Sequence, residues 1–336
     1  MDVRRVQMTG GSSYIITLPK QWVQSHQIKK NDSLHLYVQA DGSLLLTPKI
    51  LQERTQREIE FKARSIQKPA YLLQQLIGAY IAGYTTLKIT STSRITVDER
   101  NIIRSFTQLA IGPEVVEETD TSVTLKDLLN PTEMPLDRTV KRMHIIVKGM
   151  LEDAMRALET KDALLAHDVD SRDNDVDRLH WLLARQYNIL LQNVSLAEKM
   201  NLTIGMASTC FLIGRIMERI ADHVVKIAQY IPNVIEARID PKIIDQMLFA
   251  STLALDIFNK SINAFFKKDI NASNETIESV KHLETLCEKI NTLILKQKGS
   301  IVLSIGYMVD SIRRIGEYAE DISENVINYL VAEHPG

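Results

Sequence analysis

The spacing of apolar residues in the second half of the chain is typical of packed helices. From Pro135 onward, apolar side chains recur at intervals of three and four positions, and the alternation typical of strands stops. The spacing is interrupted near Pro232 and at Asp240-Pro241, where a helix boundary is favoured. We therefore predict two all-helical parts, over residues 135–235 and 236–336.

The first fifty residues show short apolar segments separated by turn residues. Strands are expected at residues 3–8, 14–18, 33–38 and 44–46. Asp41-Gly42 predicts the turn of a hairpin between the last two strands, and Pro19-Lys20-Gln21-Trp22-Val23 predicts a short helix that begins with proline. Residues 1–50 are therefore predicted to be mainly β.

Residues 51–134 begin with a segment, residues 51–67, that is rich in charged and amide side chains. The remainder shows helical spacing in some places and the alternation of strands in others. We predict a helix over residues 71–80, a strand over 85–90, a helix after Thr96, and a closing strand at 114–118 or 122–125. Gly83 favours the end of the first helix, and Thr96 with Glu99 has the pattern of a capping box. These elements predict a small α/β unit. No residue in it points to chemistry, and its role is left open.

The charge of the chain is unevenly distributed. The formal net charge is -2, which argues against a uniformly basic coat for nucleic acid. Residues 1–50 nevertheless carry six basic residues against three acidic ones, a local charge of +3. The basic residues are Arg4, Arg5, Lys20, Lys29, Lys30 and Lys49. Two copies of such a segment would offer several phosphate contacts. The competing interpretation is that these residues form a solvated face.

The chain has two cysteines, Cys210 and Cys287, both in apolar helical patterns without the neighbours of a zinc site or a disulfide framework. The start of the chain leads into polar residues, and no apolar segment approaches the length of a membrane span. A cytoplasmic protein that does not insert into a membrane is expected.

The helical region contains an internal duplication, because the motif Arg-x-x-Glu-x-x-x-Asp occurs in both of its halves. Its members are Arg215, Glu218 and Asp222 in the first half, and Arg314, Glu317 and Asp321 in the second. An earlier helix of each half adds a second pair of acids at the same spacing, Asp173 with Asp177 and Glu284 with Glu288.

A spacing of four residues places both carboxylates of a pair on one face of a helix, about one turn apart. Two such helices that face each other could converge four carboxylates, whose mutual repulsion a shared cation would relieve. Oxygen ligands favour iron(III), manganese, magnesium or calcium over zinc. The competing interpretation is that these acids form ordinary surface salt bridges, and recurrence in both halves weakens it.

These motifs resemble the PhoU family, whose members regulate phosphate uptake and contain two three-helix repeats. The resemblance covers residues 136–332 and rests on Asp168-x-Asp170-x-x-Asp173-x-x-x-Asp177-Arg178-Leu179 and on Glu218-Arg219-Ile220-Ala221-Asp222-His223. It implies multinuclear metal clusters on the paired acids, with iron the ion we expect. The second repeat departs from the pattern at Glu284 and Glu288 and has no His after Asp321, so the first repeat is the better match.

The run from Gly11 to Trp22, followed by Ile28-Lys29-Lys30-Asn31-Asp32-Ser33-Leu34, resembles the SpoVT/AbrB family of DNA-binding domains. That family joins two chains through exchanged hairpins. Independently, fifty residues of short strands cannot bury much apolar surface alone, so a homodimer is expected. Arg4, Arg5 and Lys20 flank the first hairpin and the short helix, and are our candidates for DNA contact.

Three functions follow as hypotheses. The first is a dimeric regulator that binds DNA through its N-terminal part and senses a metal or phosphate state in its helical part. The second is an adaptor that docks on a phosphate ABC transporter or its signalling kinase without binding DNA. The third, a di-iron enzyme, would need Glu-x-x-His motifs, whereas Glu218 and Glu317 are followed at that spacing by Ala221 and Glu320. Other catalytic motifs are absent from the sequence, so no enzyme is expected.

His180, His223 and His282 are expected at bundle surfaces rather than as bases.

Overall fold

The computed structural model describes residues 3–38, 42–48, 57–63, 68–237, 239–297 and 299–333. It divides into two compact units, Met1–Thr55 and Gln56–Gly336. In the second unit, a small α/β part precedes a helical bundle. Among the described helices, none combines the length and the apolar character that a membrane crossing requires.

The N-terminal unit consists of two hairpins and one short helix. Its elements are β1 (Gln7–Thr9), β2 (Ser13–Ile15), α1 (Lys20–Ser25), β3 (His35–Val38) and β4 (Leu44–Thr47). β1 pairs with β2, and β3 with β4, both antiparallel. Gly10 and Gly11 turn the first hairpin with φ of +62° and +78°, a conformation in which glycine is favoured. The predicted turn residue Asp41 lies outside the described residues.

The first two strands are shorter than predicted. Pairing runs only from Gln7 opposite Ile15 to Thr9 opposite Ser13, so residues 3–6 and 16–18 are outside the ladder. An alternating sequence pattern does not make a residue part of a strand unless the neighbouring strand provides a pairing partner for it. None of the described side chains of this unit is buried, although Met8, Tyr14, Leu36 and Val38 are large and apolar.

The α/β part has a four-stranded sheet and two helices. Its elements are β5 (Glu58–Lys62), α2 (Pro69–Ile81), β6 (Thr86–Thr90), α3 (Val97–Leu109), β7 (Pro113–Glu118) and β8 (Ser122–Asp127). The sheet order is β5-β6-β8-β7, with β5 parallel to β6 and the other pairs antiparallel. The core packs helix residues such as Leu76 and Phe106 against Leu87, Ile89 and Leu125 of the sheet.

The turn and capping predictions for this part are confirmed, and the sheet contains two more strands than predicted. Thr96 accepts from the backbone N–H of Glu99 while Glu99 accepts from Thr96, so the capping box forms, and Gly83 has a φ of +89° just after α2. Both alternative closing strands are present as β7 and β8. β5 was not predicted, because the charge of its segment obscured the alternation of Ile59 and Phe61 with Glu and Lys.

The bundle is all helical, as predicted. Its helices are α4 (Leu136–Thr160), α5 (Ala163–Ser171), α6 (Asp173–Gln192), α7 (Val194–Lys199), α8 (Ile204–Ile235), α9 (Pro241–Lys267), α10 (Ile270–Ile294) and α11 (Ile301–Glu333). The first repeat uses α4, the interrupted pair α5 and α6, and α8; the second uses α9, α10 and α11. A 3₁₀ turn, Pro131–Glu133, precedes the bundle, whose two repeats share one apolar core.

Pro232 does not end a helix, because α8 continues to Ile235. Pro232 lacks a backbone N–H and cannot donate to the carbonyl four residues earlier, but only the last turn of α8 follows it. The boundary between the repeats is instead at Asp240, whose side chain accepts from the backbone N–H of Lys242 and caps α9.

Glycines allow two close helix contacts. A Cβ at Gly214 of α8 would collide with Leu183 of α6, and a Cβ at Gly316 of α11 would collide with Leu283 of α10. These contacts set the level at which the acid-bearing helices of each repeat face one another.

Candidate metal centre

The predicted acids of the first repeat come together where α6 packs against α8. Asp173 and Asp177 lie in the first turns of α6, which begins at Asp173 after the interruption at Arg172. Glu218 and Asp222 lie one turn apart on α8. The neighbouring positions Val176, Met217 and Ile220 are buried, so the acids flank a packed helix interface.

The electrostatics of this cluster oppose its ionisation. Burial, and then the charges of Asp177, Asp222 and Asp170, raise the pKa of Asp173 to about 6. Burial also raises the pKa of Glu218 to about 7, with further increases from Asp222, Asp177 and Asp173 and a decrease from Arg219. The pKa of Asp177 is raised by burial and by Asp222. The four acids therefore lie close enough to repel one another.

Nearby arginines do not balance this charge. Arg172 Nη2 lies 2.8 Å from Asp153 Oδ2, and its Nε lies 3.2 Å from Asp168 Oδ2. Arg178 pairs with Asp175 at 3.7 Å. Across the described ranges, no ion pair or side-chain hydrogen bond involves Asp173, Asp177, Glu218 or Asp222, and Oδ1 of Asp173 is buried without a hydrogen-bond partner.

The donor chemistry of this set suits a hard cation, although its arrangement does not form a metal-holding group. It offers carboxylate oxygens only, its negative charge is unbalanced, and one of its oxygens is buried without a donor. Asp173, Asp177, Glu218 and Asp222 are the residues that would hold the ion. In the part of the chain that the structure describes, no three His, Cys, Asp or Glu side chains are arranged so that they could hold a metal ion.

The second repeat is arranged differently. Glu317 accepts from Arg313 and from Arg314, the latter at 2.9 Å, so both of its carboxylate oxygens are engaged. Glu288 is exposed, and no contact in the described part of the molecule joins it to Glu317 or Asp321. The acids predicted for this repeat therefore do not fit a cation as those of the first repeat do.

Two acids that the motif did not include belong to the second cluster. Burial, and then the charges of Glu324, Glu284, Asp321 and Glu317, raise the pKa of Glu320. The pKa of Asp321 is raised by burial and Glu324, and lowered in part by Arg219 of α8. Glu320 follows Glu317 by three residues and Glu324 follows Glu320 by four, a spacing that could have indicated them.

Two histidines are more buried than predicted. Burial, and then Arg215, lower the pKa of His180 to about 4, and its ring stacks on Phe211. Burial likewise lowers the pKa of His223 to about 4, and its Nδ1 lies 3.2 Å from Oγ of Ser311. His180 and His223 are therefore partly buried between packed helices, whereas His282 is exposed.

The far end of α6 docks the α/β part onto the bundle. Arg185 pairs with Asp127 of β8 and donates to the carbonyl of Tyr80 at the end of α2. Asn188 donates to the carbonyl of Ile81 at 3.0 Å, and Trp181 packs against the core of the α/β part. This contact was not predicted from the sequence. It could have been indicated by the run of polar residues in α6 at positions where the helical spacing predicts burial.

The candidate DNA contacts of the N-terminal unit are accessible. Arg4, Arg5 and Lys20 are all exposed. Arg4 and Arg5 precede β1, and Lys20 is the first residue of α1.

Fold and site together define a duplicated three-helix bundle with an acidic centre in its first repeat. Residues 140–231 and 249–326, about half of the chain, match the PhoU domain. The chain belongs to the PhoU family. Residues 7–51 match the family described as antidote-toxin recognition MazE, bacterial antitoxin.

Individual relatives agree with this assignment. The chain is 25% identical over 202 residues to a phosphate-specific transport system accessory protein PhoU homolog of Pseudomonas putida, covering 56% of this chain and 77% of that protein. It is 23% identical over 201 residues to PhoU homolog 1 of Thermotoga maritima, covering 57% and 84%.

Two solved structures share the fold. PhoU from Pseudomonas aeruginosa has a TM-score of 0.55 at 20% identity, over 61% of this chain and 99% of that one. The phosphate transport system regulatory protein PhoU from Streptococcus pneumoniae has a TM-score of 0.50 at 16% identity, over 59% and 94%. The predicted architecture of a β-rich N-terminal part, a small α/β unit and a PhoU-like bundle is confirmed.

Proposed function

We propose that this protein is a regulator of phosphate uptake, and not an enzyme, that acts in the cytoplasm as a homodimer. Its N-terminal unit binds DNA, and the acids of its first repeat hold a metal ion whose presence is sensed. The observation that carries the proposal is the joining, in one chain, of a PhoU-family bundle to a basic N-terminal unit that leaves its apolar strands uncovered.

Dimerisation follows from the burial of the N-terminal unit. Four short strands and one short helix bury none of their described side chains within one chain. Burying apolar surface contributes about 25 cal/mol per Å², so a second copy of the same strands offers the missing stabilisation. The two copies also double the basic residues that face a DNA backbone.

DNA binding is tested with protein from which nucleic acid has been removed. Genomic fragments retained by the protein are sequenced, and a recovered site is used in gel shifts at several salt concentrations. Replacing Arg4, Arg5 and Lys20 with Ala should weaken binding and flatten its salt dependence, because phosphate contacts release counterions. K281A/K289A, which removes two exposed lysines of α10, is the matched control. Failure to retain any preferred sequence at moderate salt would reject the DNA-binding part of the proposal.

Metal binding follows from the unbalanced carboxylates of the first repeat. When bound, the ion neutralises the acids that otherwise repel one another, and α6 and α8 are the helices that it would join. Elemental analysis after supplementation with iron, manganese, magnesium or calcium should find metal in the unaltered protein. E218Q/D222N should lose it, whereas D245N/D256N, which changes two exposed acids of α9, should keep it.

A second candidate function is an adaptor that docks on a phosphate transporter or its signalling kinase. The match of residues 7–51 to a family described by recognition of a protein, the antitoxin family named above, favours this alternative. In that case the N-terminal unit would serve dimerisation or protein recognition alone. The gel shifts separate the two candidates, because an adaptor has no preferred DNA sequence.

A further inference from the structure

Position 313 distinguishes the two repeats. Arg313 donates to Oε1 of Glu317, and its Nη2 lies 2.7 Å from Oδ1 of Asp310. Arg314 adds a contact of 2.9 Å to the other oxygen of Glu317. A guanidinium therefore already lies against the acid that corresponds to Glu218 of the first repeat.

The first repeat has no counterpart of this arrangement. When residues 215–222 are placed on residues 314–321, Arg313 aligns with Gly214 and Asp310 aligns with Phe211. Both members of the added ion pair are thus absent from the first repeat. Arg314 aligns with Arg215, so the residue is common to both repeats; only Arg314 contacts the acid, since in the described ranges no ion pair joins Arg215 to Glu218.

We propose that Arg313 is an internal counter-cation that prevents the second repeat from binding a metal ion, so that the chain binds metal through its first repeat alone. A guanidinium against Glu317 supplies the positive charge that a metal ion would bring, and a second cation at the same place would be repelled. This inference rests on the proposed metal binding of the first repeat.

The surroundings of Arg313 make the pair more than an ordinary surface salt bridge. The side chains of Arg313 and Glu317 are only 32% and 22% exposed. They lie where α11 packs on α10, beside the buried Cys287. An ion pair that is partly removed from water is screened less than an exposed one. Glu284, Glu317 and Asp321 each act on the charge of Glu320, so several acids lie close together on this face of α10 and α11.

The test counts Mn²⁺ bound to the full chain by electron paramagnetic resonance of the free ion. It uses E218Q/D222N as background, so that the first repeat does not contribute. R313Q is added to this background to remove the charge, and R313K is added in parallel to retain it. Circular dichroism and thermal melts show that each protein is folded. R313Q on the otherwise unaltered chain is measured too, where a second site would appear as additional Mn²⁺.

R313Q should tighten Mn²⁺ binding in the background by about ten-fold or more, because a nearby like charge is removed, and R313K should leave it unchanged. Equal binding by R313Q and its background would overturn the proposal, as would an equal gain with R313K. Absence of Mn²⁺ from the unaltered protein would instead reject the proposed first site, while the R313Q comparison would still report on the second.

Discussion

Nη2 of Arg185 lies 2.7 Å from Oδ2 of Asp127, and the two side chains are only 2% and 5% exposed. Arg185 belongs to the same helix as Asp173 and Asp177, whereas Asp127 ends the last strand of the α/β part. The guanidinium also lies over the ring of Tyr80, 4.7 Å from its centroid. The α/β part is therefore attached to the helix that carries half of the first acidic cluster.

Breaking this pair should destabilise the second unit strongly. D127A leaves a buried guanidinium without its carboxylate, and the expected loss in the free energy of unfolding is about 3–5 kcal/mol. Urea unfolding followed by Trp181 fluorescence measures it, with Trp22 replaced by Phe in every variant so that one reporter remains. D120A is the matched control, because Asp120 pairs with Arg94 at 3.5 Å with both side chains largely exposed. Equal effects of the two substitutions would refute the assigned role of Asp127.

The first acidic cluster should make metal-free protein less stable as pH rises. The pKa of Asp173 is about 6 and that of Glu218 about 7 in the folded protein, both above their ordinary values. The folded state thus binds more protons than the unfolded state between about pH 4 and pH 7, and stability falls with rising pH in that window. Because both groups are partly exposed, the change is of the order of 1 kcal/mol.

The measurement is urea unfolding in EDTA at several pH values, and D173N/E218Q is compared with the unaltered protein. The substituted side chains at positions 173 and 218 do not titrate. The free energy of unfolding of the variant should therefore change less between pH 4 and pH 7. D245N/D256N serves again as a control of equal charge change. If the free energy of unfolding of the variant falls as steeply with rising pH as that of the unaltered protein, other groups cause the pH dependence.

G214A should disturb the contact between α6 and α8. The added methyl group collides with Leu183, and overpacking of this kind costs about 1–3 kcal/mol. G306A is the control on another helix, where nothing lies within 4 Å of the added methyl group. It should be neutral or stabilising, because alanine favours a helix over glycine by about 1 kcal/mol. Thermal melts of both variants decide the matter, and a loss of stability in G306A alone would contradict the packing described.

The uncovered strands of the N-terminal unit should carry the dimer contact. Val38 of β3 is 70% exposed in the single chain, and V38D would place a charge in an interface that depends on apolar burial. Sedimentation velocity should show a shift from two chains to one. V97D is the matched control, because Val97 is 73% exposed on α3 of the other unit. A dimer that survives V38D but dissociates in V97D would locate the contact elsewhere.

The helical period predicted which face of each helix carries its acids, but it does not give the level at which two helices meet. In the first repeat, the acids of α6 and α8 meet at one level. In the second, Leu283 packs against Gly316, and Glu288 lies five residues further along α10, about 7.5 Å in the direction away from Asp321. Spacing within a motif cannot reveal this offset, because it depends on which side chains interlock.

Contacts between residues that are far apart in the chain could likewise not be predicted from the sequence. Turn and capping signals at Gly83 and Thr96 are local, and the structure confirms both. The pair formed by Arg185 and Asp127 joins positions 58 residues apart. Each looks like an ordinary surface charge until the two parts are docked, which is why the role of residues 51–134 stayed open.

Because none of the described side chains of the N-terminal unit is buried, the folding of this unit depends on the supply of whatever covers it. A partner that binds only the folded form stabilises it by mass action, to an extent set by the ratio of its concentration to its dissociation constant. If the partner is a second copy, the fraction of folded N-terminal units rises with the amount of protein present. The abundance of the chain would then itself be an input to regulation, separate from any ion held in the bundle.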